Sequence, residues 1–168
     1  MPVGILERVH GSRAMLRLDD RLLPAVIGAG GIRADKSEGD GATPAGLLPL
    51  RRVLYRADRV SIPTTTLPRE AIAPEDGWCD DPSHPRYNRP VTLPFEGRHE
   101  RLWRPERIYD VVAVLGWNDD PVRPGRGSAI FLHATSPDDR PTEGCIALAP
   151  ADLLAVLAAG LDAIDVPG

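Results

Sequence analysis

Short apolar runs separated by glycine and proline recur along the chain, and each is shorter than a typical helix. Residues 14–18 and 22–27 flank an Asp-Asp-Arg turn and predict a β-hairpin. Pro24 lies in the second run and cannot donate a ladder hydrogen bond, so we expect that strand at a sheet edge. Residues 47–62 alternate apolar positions with arginines and predict a strand pair.

Two further apolar runs, Val111–Leu115 and 129–133, also predict strands. The glycine-rich residues 28–46 have no helical period and predict a long structured loop, interrupted by a short strand around Gly31. Proline recurs throughout residues 63–100, so we expect that stretch to be mostly loop.

A single stretch, residues 150–160, places Leu153, Leu154 and Leu157 at helical spacing, with a glycine at its end. The 16 glycines and 18 prolines make up about a fifth of the 168 residues and leave little room for long helices. No repeat or linker divides the chain. We therefore predict that residues 1–168 form one mainly β domain with a short C-terminal helix.

Composition and charge narrow the class of protein. Apolar residues form 42% of the chain, enough for one sizeable core. The net charge of −4 argues against a nucleic-acid binder, because such binding relies on cationic contacts to phosphates. No run of 18 apolar residues is present, so no membrane span is predicted.

The start of the chain lacks the apolar run of an export signal, because Glu7, Arg8 and His10 interrupt it. We therefore expect a cytoplasmic protein, or a periplasmic one if a leader has been removed. The two cysteines, Cys79 and Cys145, do not form a disulfide framework and favour a reducing compartment.

The main candidate catalytic residues lie within residues 131–148. An apolar strand ends at His133, an eleven-residue loop follows, and Gly144-Cys145 opens a new apolar run. If the two runs pair as antiparallel neighbours, His133 can activate the Cys145 thiol. The alternative is a small buried cysteine and a histidine whose hydrogen bonds are satisfied elsewhere.

Other candidate sites are incomplete. Cys79, Asp80 and His84 could offer ligands to zinc, but no second cluster completes the set. Residues 41–46 have the glycine spacing of a phosphate-binding loop without its Lys-Ser/Thr pair. The sequence therefore predicts neither a metal site nor a cofactor site.

The same segment resembles the L,D-transpeptidase catalytic domain of the YkuD type, a family of cysteine enzymes that act on peptidoglycan. In that family a histidine at a strand end precedes a Ser/Thr-x-Gly-Cys motif, here His133 and residues 142–145. Residues 41–46 (Gly-Ala-Thr-Pro-Ala-Gly) resemble its Gly-x-x-Thr-Pro-x-Gly motif, with one residue fewer between the first glycine and the threonine. Further stretches similar to one branch of the family are residues 36–41, 77–81, 87–88 and 127–133.

The resemblance implies a β-sandwich-like fold with the catalytic pair at one end. It implies that Cys145 attacks a peptide carbonyl, that His133 accepts the thiol proton and donates one to the leaving amine, and that N–H groups near Gly144 hold the oxyanion. No cofactor is implied.

On the substrate side, Thr142 and Glu143 precede the nucleophile, and Glu143 replaces the histidine common in the family. A carboxylate there opposes formation of a neighbouring thiolate. Lys36, which is the only lysine, and Arg140 are candidates for neutralising carboxylates of the substrate.

The implied substrate is a peptidoglycan tetrapeptide stem or a soluble muropeptide that loses its terminal D-alanine. We expect water to resolve the thioester, which makes the protein an L,D-carboxypeptidase of muropeptide recycling. The alternatives are an L,D-transpeptidase that uses an amine acceptor and a non-catalytic peptidoglycan-binding module.

Overall fold

The computed structural model describes residues 2–168, which form fourteen strands and one helix. The elements are β1 (Val3–His10), β2 (Arg13–Leu18), β3 (Arg21–Val26), β4 (Ile32–Arg33), β5 (Thr43–Pro44), β6 (Gly46–Tyr55), β7 (Arg69–Ala71), β8 (Asp76–Cys79), β9 (Pro90–Thr92), β10 (His99–Arg101), β11 (Val111–Leu115), β12 (Phe131–Ala134), β13 (Ile146–Leu148), α1 (Pro150–Ala158) and β14 (Ala163–Val166). The mainly β class and the short C-terminal helix are confirmed.

The main sheet closes on itself. Its strands follow the order β11-β12-β13-β3-β2-β1-β14-β6-β7, and β6 also pairs with β11. The ten-residue β6 makes this closure possible, because its first half pairs with β14 and its second half with β11. The two layers of the expected sandwich are thus opposite walls of one closed sheet, and closure removes most free edges.

A large apolar core fills the space inside the closed sheet. Alternate residues of the strands point inward, as the period of two requires, and α1 adds Leu153, Val156 and Leu157. Proline opens α1 and Gly160, at φ +88°, follows its end, as the sequence predicts.

The predicted hairpin is confirmed as β2 and β3, but the expectation that Pro24 marks an edge strand is wrong. β3 lies between β2 and β13, and β13 pairs only with Ala25 and Val26. Pro24 therefore stays in an inner strand without breaking a ladder. Residues 47–62, expected to form two strands, contribute one long strand that ends at Tyr55.

Residues 63–100 were expected to be mostly loop, but four short strands begin within them. Three of them form a separate sheet in the order β10-β8-β9. Trp78 and Cys79 of this small sheet are buried. Trp78 packs in a second core with residues of β6, β11 and β12, among them Leu54, Val112 and Phe131. Strands of three or four residues between prolines carry little periodicity, and for that reason the pattern did not show them.

The strands on either side of the candidate catalytic loop are parallel, so the expected antiparallel pairing is wrong. Leu132 pairs with Ile146 and His133 with Ala147. The connecting loop therefore crosses back to the start of the neighbouring strand, and His133 does not face Cys145 directly. Within residues 2–168, no helix has the length and apolar character that a membrane crossing needs.

Candidate active site

Cys145 immediately precedes β13 and belongs to the second core, and only 8% of its surface is exposed. Its Sγ donates a hydrogen bond to the Ala129 carbonyl oxygen at 3.3 Å and accepts one from the Phe131 N–H at 3.4 Å. Both partners are backbone groups around β12. The thiol is thus held by the neighbouring strand and by the residues that lead into it.

His133 lies on the same face of the sheet as Cys145. Because Leu132 pairs with Ile146, the parallel register places Phe131 beside Cys145, and His133 is two positions further along the strand. The Tyr109 ring packs edge-on against both Phe131 and His133, with centroid distances of 5.8 and 5.2 Å. The polar contacts of the thiol and the imidazole go to different backbone groups.

The backbone fixes the tautomer of His133. Nδ1 lies 2.8 Å from the Ala134 carbonyl oxygen, which can only accept, so Nδ1 carries the proton. Burial lowers the pKa of His133 to about 4, which keeps the ring neutral near pH 7. The lone pair of Nε2 is therefore available to accept a proton, and a backbone carbonyl orients the ring.

The Cys145 thiol is protonated in the resting structure. Burial raises its pKa to about 12, and the Glu100 carboxylate adds to the increase. The Phe131 N–H acts in the opposite direction, and the exposed Glu143 raises the thiol pKa further, as the sequence predicts. Any attack by this sulfur therefore requires that the thiol lose its proton at that moment.

Glu100 and Tyr109 are two residues near the site that sequence reasoning did not assign to it. The Tyr109 hydroxyl donates to Glu100 Oε1, and Arg104 lies 3.5 Å from the same oxygen. Burial raises the pKa of Glu100 to about 7. Glu100 is one of 24 acidic residues and lies in a stretch predicted as loop, so no local pattern distinguishes it.

The Thr142-Glu143-Gly144-Cys145 turn is held by Thr142. Its Oγ1 donates to the Cys145 carbonyl at 2.6 Å and accepts from the Gly144 N–H at 3.1 Å. The Gly144 N–H is therefore occupied. The Cys145 N–H has no hydrogen-bond partner among residues 2–168, so it is the better placed of the two amides for an oxyanion.

The glycine-rich segment 28–46 packs against the turn formed by residues 142–145. Gly28 forms a bridge with Thr142, and Ala29 N–H donates to the Thr142 carbonyl at 3.0 Å. Gly144 adopts φ +137°, and a Cβ there would lie 2.8 Å from the Ala42 carbonyl oxygen. Both the backbone conformation and the close approach require glycine at position 144.

The other predicted site residues lie apart from the thiol contacts. Lys36 is 3% exposed, and its Nζ contacts Asp40 Oδ1 at 2.5 Å. The Arg140 side chain is 72% exposed and pairs with Asp138. A substrate contact by either cation stays a prediction. In the described part of the chain, no group of three His, Cys, Asp or Glu side chains is placed to hold a metal ion.

Comparison with known proteins identifies the family. The model of the YkuD family, the L,D-transpeptidase catalytic domain, matches residues 10–161 of the 168-residue chain. No curated protein and no solved structure matches. The family match covers both the loop that carries Cys145 and the glycine-rich segment beneath it. The chain therefore belongs to the YkuD family of L,D-transpeptidase catalytic domains.

Proposed function

We propose that the protein is an L,D-carboxypeptidase that removes the terminal D-alanine from peptidoglycan tetrapeptide stems through a Cys145 thioester. The observation that carries this proposal is the neutral His133 ring, whose free Nε2 lies on the same face as the Cys145 thiol. A neutral imidazole on the same face of the sheet as a buried thiol can act as the base that generates a cysteine nucleophile. The substrate class comes from the family, which acts on peptidoglycan peptides.

Acylation begins when the Cys145 S–H leaves the Ala129 carbonyl and turns to Nε2 of His133. The proton passes to Nε2, and the sulfur attacks the carbonyl of the residue before the terminal D-alanine. The Cys145 N–H stabilises the oxyanion of the tetrahedral intermediate. The C–N bond then breaks, His133 returns the proton to the leaving amine, and a thioester remains.

Deacylation by water returns the enzyme to its starting state. His133 is neutral again after the first step, so it takes a proton from water while the oxygen attacks the thioester. The C–S bond then breaks, His133 returns the proton to the Cys145 sulfur, and the shortened peptide has a new carboxylate. An amine acceptor must instead arrive unprotonated, and the exposed Glu143 carboxylate, two residues before Cys145, favours its unreactive ammonium form.

Transpeptidation is the second candidate, because the exposed Glu143 carboxylate next to the nucleophile attracts a cationic acceptor. The two functions share the thioester and differ in what resolves it. A module that binds stems without chemistry is the third possibility, and an unreactive Cys145 would favour it.

The test is turnover of a defined disaccharide-tetrapeptide in H₂¹⁸O, followed by mass spectrometry. We expect a tripeptide that carries one ¹⁸O in its new carboxylate, and no reaction with Cys145→Ala. Cys79→Ala is the matched control and keeps activity, because Cys79 lies in the small sheet and its Sγ contacts the Asp81 carbonyl. A cross-linked dimer in place of tripeptide would show transpeptidation, and turnover by Cys145→Ala would refute the mechanism.

A further inference from the structure

The buried side chain of Asn88 uses all of its hydrogen-bonding groups. One of its partners, Ala129, also contacts the Cys145 thiol. Asn88 is 4% exposed, and its Oδ1 accepts from Trp78 Nε1 at 2.9 Å and from the Ala129 N–H at 3.0 Å. Its Nδ2 donates to the carbonyl oxygens of Trp117 and Asn118 at 3.0 and 2.8 Å. One amide thus joins the small sheet to both ends of the loop that connects β11 and β12.

Ala129 is the residue through which this network reaches the thiol. Its N–H is held by Asn88, and its carbonyl oxygen accepts the hydrogen bond of Cys145 Sγ. Ala129 adopts φ +53°, a left-handed conformation that costs a non-glycine residue about 1 kcal/mol and persists only where surrounding contacts impose it. The Asn88 amide supplies such a contact.

We propose that Asn88 is a positioning residue for the nucleophile, which acts through the Ala129 carbonyl to hold the Cys145 thiol in one place next to β12. The Ala129 carbonyl stabilises the protonated thiol. It also fixes the position of the sulfur before the S–H group rotates toward His133. Asn88 itself touches neither the thiol nor the imidazole. The proposal uses the function proposed above only for its turnover measurement.

The test compares Asn88→Gly with Asn118→Gly. Glycine keeps the left-handed backbone available at both positions, since Asn88 and Asn118 have φ values of +56° and +51°. The Asn118 side chain also makes three hydrogen bonds, to Arg123 and Gly127, but none of them reaches Ala129. The Asn118→Gly control therefore loses a similar set of hydrogen bonds but keeps the bond between Asn88 and Ala129 and the bond between Ala129 and Cys145.

Two readouts decide the proposal: the pH profile of Cys145 alkylation by iodoacetamide, and kcat and KM on the tetrapeptide. In Asn88→Gly we expect the alkylation midpoint to fall by about half to one pH unit, because the bond that stabilises the protonated thiol is loosened. We also expect kcat to fall at least about tenfold with KM within about twofold, since the sulfur is misplaced. Asn118→Gly keeps all three values near the wild type.

An unchanged midpoint and kcat in a folded Asn88→Gly protein would overturn the proposal. So would alkylation of buried Cys79 that rises in step with Cys145, because that result indicates general opening of the protein. Asn88→Asp keeps an acceptor for the Ala129 N–H and should not lower the midpoint. If it lowers the midpoint as much as Asn88→Gly does, the Ala129 bond is not the cause.

The alkylation profile also separates this proposal from the proposed function. If the wild-type protein does not turn over the tetrapeptide, the proposed function fails. The shift of the alkylation midpoint still decides the role of Asn88, because it needs no peptidoglycan substrate.

Discussion

At the scale of single residues, the Cys145 thiol and the His133 imidazole are both uncharged in the resting site. Burial is the main cause for each, since it disfavours thiolate and imidazolium alike. An ion pair between them is therefore not the ground state, and the reaction must move the proton while substrate is bound. This differs from the preformed thiolate of cysteine enzymes whose thiol pKa is low.

Burial shifts the pKa values of Glu100 and His133 in opposite directions, and this predicts a compensation in stability. Between pH 4.5 and 7, native Glu100 retains a proton that the unfolded state loses, so its contribution to stability falls as the pH rises. Between pH 4 and 6.5, native His133 lacks a proton that the unfolded state binds, so its contribution rises with pH. The two slopes largely cancel in the wild-type protein.

Removing either group should expose the slope of the other. We expect the free energy of unfolding of Glu100→Gln to rise between pH 4.5 and 6.5, and that of His133→Gln to fall, each by up to about 1.4 kcal/mol per pH unit relative to the wild type. Urea unfolding at several pH values measures both. Equal slopes in the two variants would contradict the opposed shifts.

At the scale of elements, the nucleophile turn depends on the glycine-rich segment packed beneath it. Residues 28–46 and residues 142–145 are far apart in the sequence, yet their backbones approach so closely that Gly144 meets the Ala42 carbonyl. This contact gives a physical reason for glycine at position 144, far along the chain from the glycine-rich segment. Thr43 Oγ1 also accepts the Gly28 N–H at 3.0 Å and keeps the two ends of the segment together.

Gly144→Ala tests the close approach of these two segments. The added Cβ meets a backbone oxygen, which cannot move aside like a flexible side chain, and φ +137° is strained for alanine. We expect turnover to fall about a hundredfold or more, because the turn that carries Cys145 must shift. The measurement is kcat/KM on the tetrapeptide.

Gly11→Ala is the matched control for backbone strain alone. Gly11 has φ +60° in the turn between β1 and β2, and nothing lies within 4 Å of an added Cβ. The control should lose about 1 kcal/mol of stability and keep its activity. If Gly144→Ala also kept its activity, the contact with Ala42 would not position the nucleophile.

At the scale of the whole molecule, the protein has two hydrophobic cores. The closed sheet surrounds the first core, and the small β10-β8-β9 sheet covers the second, which contains Cys145. The buried Lys36–Asp40 pair ties the glycine-rich segment to the loop before β12. Asp40 Oδ1 accepts from the Ala42 N–H, and the Lys36 stem packs against Gly127.

Lys36→Met is expected to lower the free energy of unfolding by about 1 to 3 kcal/mol, because the Asp40 carboxylate loses its cation and keeps only the Ser37 and Ala42 N–H groups as partners. Arg33→Met removes the exposed pair with Asp35 and should change stability by no more than about 0.5 kcal/mol. Urea unfolding compares the two. A higher KM in Lys36→Met with unchanged stability would instead show that the Lys36 charge serves the substrate.

The sequence by itself determined the features that depend on neighbours along the chain. The β2–β3 hairpin, β11 and α1 follow from the period of apolar residues and from turn chemistry, which act over a few positions. His133 and Cys145 could be selected as a candidate pair because the motif around them is short and contiguous. The mainly β class followed from the many glycines and prolines.

Only the tertiary structure decided how distant segments meet. The parallel register of β12 and β13, the pairing of β6 with β11, and the position of Pro24 inside the sheet depend on which strands become neighbours. The contacts of Glu100 and Asn88 near the site also join residues from separate strands and loops. Periodicity in one strand states which side faces the core, but it does not state which strand lies beside it, because that choice minimises the free energy of the whole chain.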